Sequence, residues 1–208
     1  FSKKNKISFV RFACHLKEVS KIIPYCNKLK KKGLIVGLNL MQISEINDLE
    51  LEKISKLISN SKVDIFYFAD SLGNLEPKDI KHFTNIIKKN WKKSIGFHAH
   101  DNMGRALINC VAAVNSGINW IDSTVTGMGR GAGNVKTEIA LLEFSKFLKK
   151  DRDVSLLLKL IDEKFVSMKN KYGWGSNPYY YLAGQSSIHP TYIQSMQNDL
   201  KLNSEEIL

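Results

Sequence analysis

The sequence predicts an α/β protein built on a parallel sheet, and two observations predict it. Five short runs rich in Ile, Val, Phe and Tyr alternate with helical patterns. The runs begin near residues 7, 34, 63, 94 and 120, so they repeat every 27, 29, 31 and 26 residues. That is the period of strand–helix units joined by crossovers. It suits an open sheet and a closed (β/α)8 barrel equally.

The elements follow in order. Strands are expected at 7–14, 34–41, 63–69, 94–99 and 120–125. Val19, Ile22, Ile23, Cys26 and Leu29 share one helical face, and Gly33 stands where a left-handed cap would end that helix. Leu51, Ile54, Leu57 and Ile58 mark a second helix. Pro77 opens a third, where its missing N–H is harmless, and Ile80, Phe83, Ile86 and Ile87 line its inner face. A fourth, over 104–116, uses Leu107, Cys110, Val111 and Val114 and ends at Gly117. Two more helices are expected at 137–149 and 155–171, then a Tyr-rich loop over 172–184 and a terminal segment. No linker or low-complexity tract interrupts the chain. Residues 1–150 read as the βα part and 151–208 as a helical extension packed on it.

Composition narrows the class of function. The chain has 208 residues, 43% of them hydrophobic, which is enough for a core. It carries 31 Lys+Arg against 20 Asp+Glu, a formal charge of +11, but only 4 of the cations are Arg. Nucleic-acid sites favour the planar Arg fork, so the lysines read as a solvated surface and no nucleic-acid partner is expected. No apolar run approaches the roughly 20 residues that span a bilayer, so no membrane partner is expected either. No secretory h-region is visible. Cys14, Cys26 and Cys110 are too scattered for a disulfide framework and fit a reducing, cytoplasmic setting.

Parallel α/β folds bind ligands at the carboxyl ends of their strands. The polar residues there are His15, Asn39 and Gln42, Asp70 and Ser71, His98, His100 and Asp101, and Asp122, Ser123 and Thr124. Residues i and i+2 of a strand share a face, so His98 and His100 can close on one cation or be a hydrogen-bonded pair. The loop from Gly127 to Asn134 holds four glycines and can present N–H groups to an anion or be a tight turn alone. Asn134 can cap the next helix or point into the site. Asp70 can bind substrate, take a proton or cap a helix. Ser71 and Thr124 are small polar liners. His189, before Pro190, reads as structural.

The segment from Phe97 to Gly104 reads F-H-A-H-D-N-M-G. The segment from Asp122 to Asn134 reads D-S-T-V-T-G-M-G-R-G-A-G-N, and Glu138 follows. Together they resemble the signature of the HMG-CoA-lyase-like superfamily, the divalent-metal TIM barrels called DRE-TIM metallolyases. Within it the nearest resemblance is to the 4-hydroxy-2-oxovalerate aldolases. The resemblance implies a (β/α)8 TIM barrel of which this chain holds the C-terminal five units, strands four to eight. The arithmetic agrees, since eight units need about 220 residues before any tail, and the chain does not begin with Met.

The resemblance further implies metal ligation by His98 and His100, with Asn134 at or beside the metal. Asp70 would be a catalytic carboxylate near the substrate. One of Tyr179, Tyr180 and Tyr181, assigned to Tyr180, would be a catalytic tyrosine, although an aromatic packing patch is the competing reading. His15, Ser71, Thr124 and Arg130 would contact substrate. The cofactor would be Mn2+ or Mg2+, with Co2+ or Zn2+ as alternatives. The substrates would be a small 2-oxo acid such as pyruvate and an aldehyde. A homo-oligomer and an aldehyde-processing partner enzyme would accompany them. The family's Arg-Asp-Gly motif is absent here, so its metal-binding Asp and enolate-stabilising Arg are not in this chain. Residues 1–208 alone are therefore expected to associate and to be inactive until the upstream segment is supplied.

No lysine stands at a strand end as an imine-forming one should, which disfavours Schiff-base chemistry. A Claisen-type acyltransferase of the isopropylmalate or homocitrate synthase kind would carry G-x-G-E-R-A-G-N in the loop. Here Arg130 stands one place earlier and the Glu is missing. HMG-CoA lyase carries a loop cysteine that this chain lacks. A non-catalytic barrel fragment is the remaining alternative.

Overall fold

A computed structural model describes residues 7–148 and 153–199. Five strands lie side by side in sequence order: β1 (Phe9–Cys14), β2 (Ile35–Leu40), β3 (Ile65–Asp70), β4 (Ser94–Ala99) and β5 (Trp120–Ile121). Every pairing between them is parallel. Helices α1 (Val19–Lys30), α2 (Asp48–Ser59), α3 (Pro77–Asn90) and α4 (Ala106–Asn115) connect them, and α5 (Thr137–Leu148) follows β5. The expected boundary between 150 and 151 lies outside the described residues.

Local chemistry sets the helix ends. Asn47 caps α2 by accepting from Glu50 N at 3.0 Å, and Glu50 returns an acceptor to Asn47 N at 3.3 Å. Pro77 is the first residue of α3. Gly33 and Gly117 follow α1 and α4 at φ +83° and +81°, as a left-handed cap requires.

Alternation along the strands sorts side chains into two faces. Val36, Leu38, Leu40, Phe66, Phe68 and Phe97 point to the helices and form one continuous buried core. The other face carries Arg11, Asn39, Tyr67 and His98. Four strand spacings would hold β1 and β5 about 19 Å apart in a flat sheet. Yet Phe9 of β1 stacks on Trp120 of β5 at 5.9 Å. Arg11 also reaches Asp122 in an ion pair and lies 4.5 Å over the Tyr67 ring. The sheet must therefore curl, and its polar face is concave, as in a barrel. Gly96 is required beneath Tyr67: a Cβ there would stand 2.2 Å from the ring.

Three expectations change. β5 has two residues rather than six: Asp122 N still donates to Phe97 O at 3.1 Å, but from Thr124 on the chain bonds to the segment that follows the glycine loop. Thr124 N donates to Val135 O at 3.1 Å, and Thr137 N donates to Thr124 O at 2.9 Å. The Tyr-rich segment is not a loop throughout but contains α8 (Pro178–Gln185), with Asn177 accepting from Tyr180 N at 2.9 Å as its cap. The terminal segment holds α9 (Pro190–Asn198). The helix expected at 155–171 is observed as α6 (Ser155–Leu160), a π-helical turn over Ile161–Phe165, and α7 (Val166–Tyr172). Among the described residues no helix is long and apolar enough to cross a membrane.

Candidate active site

A cavity of about 460 Å3 opens on the concave face at the carboxyl ends of the strands. Five of the expected site residues line it together: His15, Ser71, His98, His100 and Arg130. The parallel register causes this, since His98 sits beside Ala69 and residues two apart share a face.

Asp122 organises the centre of the site. Its carboxylate takes Arg11 and also His98 Nδ1, at 2.9 Å. Burial opposes its ionisation, but the His98 hydrogen bond and the Arg11 charge hold the carboxyl below its ordinary range. When His98 Nδ1–H donates to this carboxylate, Nε2 keeps its lone pair. The His100 ring lies 5.1 Å from that of His98, edge to face. Burial first, then the His98, Arg130 and His189 charges, push the His100 pKa down to about 3, so this ring is neutral at ordinary pH. Its Nδ1 is buried without a partner, as is Asn39 Oδ1.

Two imidazoles at the end of one strand, that of His100 neutral and with an orphaned buried nitrogen, fit part of a divalent-metal shell. Among the described residues no third His, Cys, Asp or Glu joins them.

At the mouth, Ser71 Oγ accepts from Gln42 N at 2.9 Å, with Gln42 held at φ +54°. The other four expected residues do not line this cavity, although Asn134 is bridged to His100 at the strand end. Asp70 does not line this cavity; its carboxylate accepts from Asn74 N at 3.1 Å and Leu75 N at 3.3 Å and so shapes the loop into α3. Burial pushes its pKa up to about 7, against those N–H donors. Tyr180 is buried with Ala132, Ala183 and Ile193 in a small separate cluster and does not line this cavity. Thr124 Oγ1 is buried without a partner and does not line the cavity. Asn134 donates from Nδ2 to Met128 O at 3.1 Å and lines a neighbouring cavity of about 410 Å3 with Asp101, Lys136 and Trp174.

The glycine loop closes on itself: a Cβ at Gly133, at φ +79°, would stand 2.1 Å from Gly127 O. Glu138 accepts from Thr126 N at 3.0 Å, and Trp174 Nε1 donates to Thr126 O at 3.2 Å, pinning the loop from both sides.

Sequence reasoning missed Arg11 and dismissed His189. Arg11 was legible through period two, since residues 11, 13 and 15 share the face of His15. His189 does cap α9, accepting from Thr191 N at Nδ1 at 3.3 Å, but the same ring also lines the cavity. Only the fold brings it there.

A curled parallel sheet with paired histidines at its carboxyl edge defines a βα-barrel protein with a strand-end site. The family model described as HMGL-like matches residues 5–160, and the chain belongs to that family. It is 34% identical over 140 residues to a 4-hydroxy-2-oxovalerate aldolase of Geobacillus genomosp. 3, covering 67% of this chain and 42% of that protein. The chain thus spans less than half the length of that curated relative. The N-terminal domain of a candidate aldolase from Bacteroides vulgatus superposes with TM-score 0.84 at 34% identity, over 92% of this chain and 64% of that one. Bacillus subtilis HMG-CoA lyase shares the fold, with TM-score 0.68 at 18% identity, over 81% of this chain and 64% of that one.

Proposed function

We propose that this chain supplies the carboxyl-terminal part of the active site of a divalent-metal-dependent carbon–carbon lyase. Its reaction is the aldol cleavage of a 4-hydroxy-2-oxo acid to pyruvate and an aldehyde. The observation that carries the reading is the pair His98 and His100, with His100 neutral and His98 oriented by Asp122. The aldolase relative and the HMGL-like membership support the reaction class.

In such a cleavage the C3–C4 bond breaks, its electron pair passes toward the 2-oxo group, and the 4-hydroxyl proton leaves to a base. A bound divalent ion supplies positive charge beside the 2-oxo oxygen. His98 and His100 would hold that ion. Asp122 fixes the His98 tautomer, and Arg11 fixes Asp122. Asn39 and Ser71 offer polar atoms to the bound acid. The loop's G-R-G in place of G-E-R disfavours the Claisen alternative.

The test is pyruvate release from 4-hydroxy-2-oxopentanoate by the protein at its full natural length with Mn2+ or Mg2+. Chelation should abolish it. His98→Ala should reduce it about a thousandfold, since metal charge stabilisation contributes several kcal/mol. Undiminished metal content and turnover in that variant would overturn the reading.

A further inference from the structure

The rim of the cavity carries an unpaired cation. Of the described arginines, Arg11 is paired with Asp122 and Arg105 with Glu76, at 3.3 Å. Arg130 pairs with no carboxylate among the described residues; its recorded neighbour is His189, with Nη2 3.3 Å from the ring Nε2.

That contact competes with the α9 cap, because a neutral imidazole has one lone pair and two N–H donors face this ring, Arg130 Nη2 at Nε2 and Thr191 N at Nδ1, each at 3.3 Å. When Nδ1 accepts from Thr191 N, it carries no proton. A neutral imidazole then bears its proton on Nε2. Arg130 Nη2–H and His189 Nε2–H are both donors, 3.3 Å apart, with no acceptor of either recorded between them. Burial first, then the Arg130 charge, lower the His189 pKa, against Glu45. Two convergent donors, one of them cationic, are the recognition chemistry of an oxyanion.

We infer that Arg130 and His189 form an anion subsite at the cavity rim that takes a second anionic group of the substrate, besides its 2-oxo acid end. This deepens the proposed function and rests on it for the placement of the 2-oxo end. It points away from acceptors ending in a bare methyl group and toward carboxylated ones, or toward phosphorylated ones of the same anionic chemistry.

Binding separates this inference from the reaction itself. Calorimetry on the full-length protein with Mn2+ would compare 2-oxoglutarate with 2-oxopentanoate, which differ only in a terminal carboxylate against a methyl. The carboxylated probe should bind about 10- to 100-fold more tightly, the range one charge-assisted hydrogen bond supports. In Arg130→Ala the ratio should fall to about one. His189→Asn keeps an acceptor to cap α9 but removes the Nε2 donor, and should lower the ratio without unfolding. A 2-oxo-4-phosphonobutanoate arm distinguishes the two sources: tighter binding than the carboxylate assigns a phosphorylated substrate, and weaker binding a carboxylated one. A wild-type ratio near one, or no binding of any probe, overturns the inference. A retained ratio in a protein that releases no pyruvate from either 4-hydroxy-2-oxopentanoate or 4-hydroxy-2-oxoglutarate would overturn the aldolase reading and leave the subsite standing.

Discussion

The two faces of one sheet differ more than any two segments of the chain. On β3, Phe66 and Phe68 face the helices in a dry core, while Tyr67 and Ala69 between them face the concave side. The dry face is tolerant chemistry, since any well-packed apolar set would hold the helices. The concave face is a chain of specific partners running from Tyr67 through Arg11 and Asp122 to His98. One face therefore determines stability and the other determines what can bind.

The comparison yields predictions of decreasing size. Phe68→Ala, at a fully buried position, should cost about 3–5 kcal/mol of stability in chemical denaturation. The concave-face change His98→Ala should leave the denaturation midpoint much closer to the parent's; equal losses would erase the distinction. Asp122→Asn should keep the fold but weaken Mn2+ binding about 10- to 100-fold, the usual effect of removing a carboxylate behind a ligating histidine. Unchanged affinity would show that Asp122 does not orient His98.

The third prediction concerns acid. The folded His100 pKa is about 3 and its unfolded value 6.5, so the unfolded chain binds the proton first. Stability contributed by neutral His100 is present above pH 6.5 and is lost as pH falls from there toward 3. Between pH 6.5 and 5 the metal-free protein should lose about 2 kcal/mol through this group. His100→Gln should flatten that slope; an identical slope would place the acid sensitivity elsewhere. The smallest effect belongs to neither face. Asn47→Ala removes the α2 cap and should cost about 1 kcal/mol without altering metal binding.

Much of the barrel was legible because its signals are local. Hydrophobic period, Pro77 at a helix start and glycines at helix ends depend on residues within a turn or two. The Asn177-Pro178 pair was a helix-start signal of the same kind, outweighed by the aromatic run after it. The truncation of β5 was not legible, because Thr124 finds its partners at Val135 and Thr137 across a loop whose path no local rule sets.

The site divides in the same way. His98 and His100 follow from strand alternation and position. Asp70 looked equivalent as a strand-end carboxylate, yet its partners Asn74 and Leu75 lie only four and five residues on, so backbone geometry claimed it for the loop. By itself the sequence determined the βα repeat, the dry face of each strand and the paired imidazoles, because each depends on spacings of two to four residues. The tertiary structure alone decided that Asp122 would orient His98 from 24 residues away, that Arg11 would reach it from 111 away, and that His189 would meet Arg130 across 59. Those contacts depend on how far the sheet curls and where the last helices pack, which no spacing along the chain encodes.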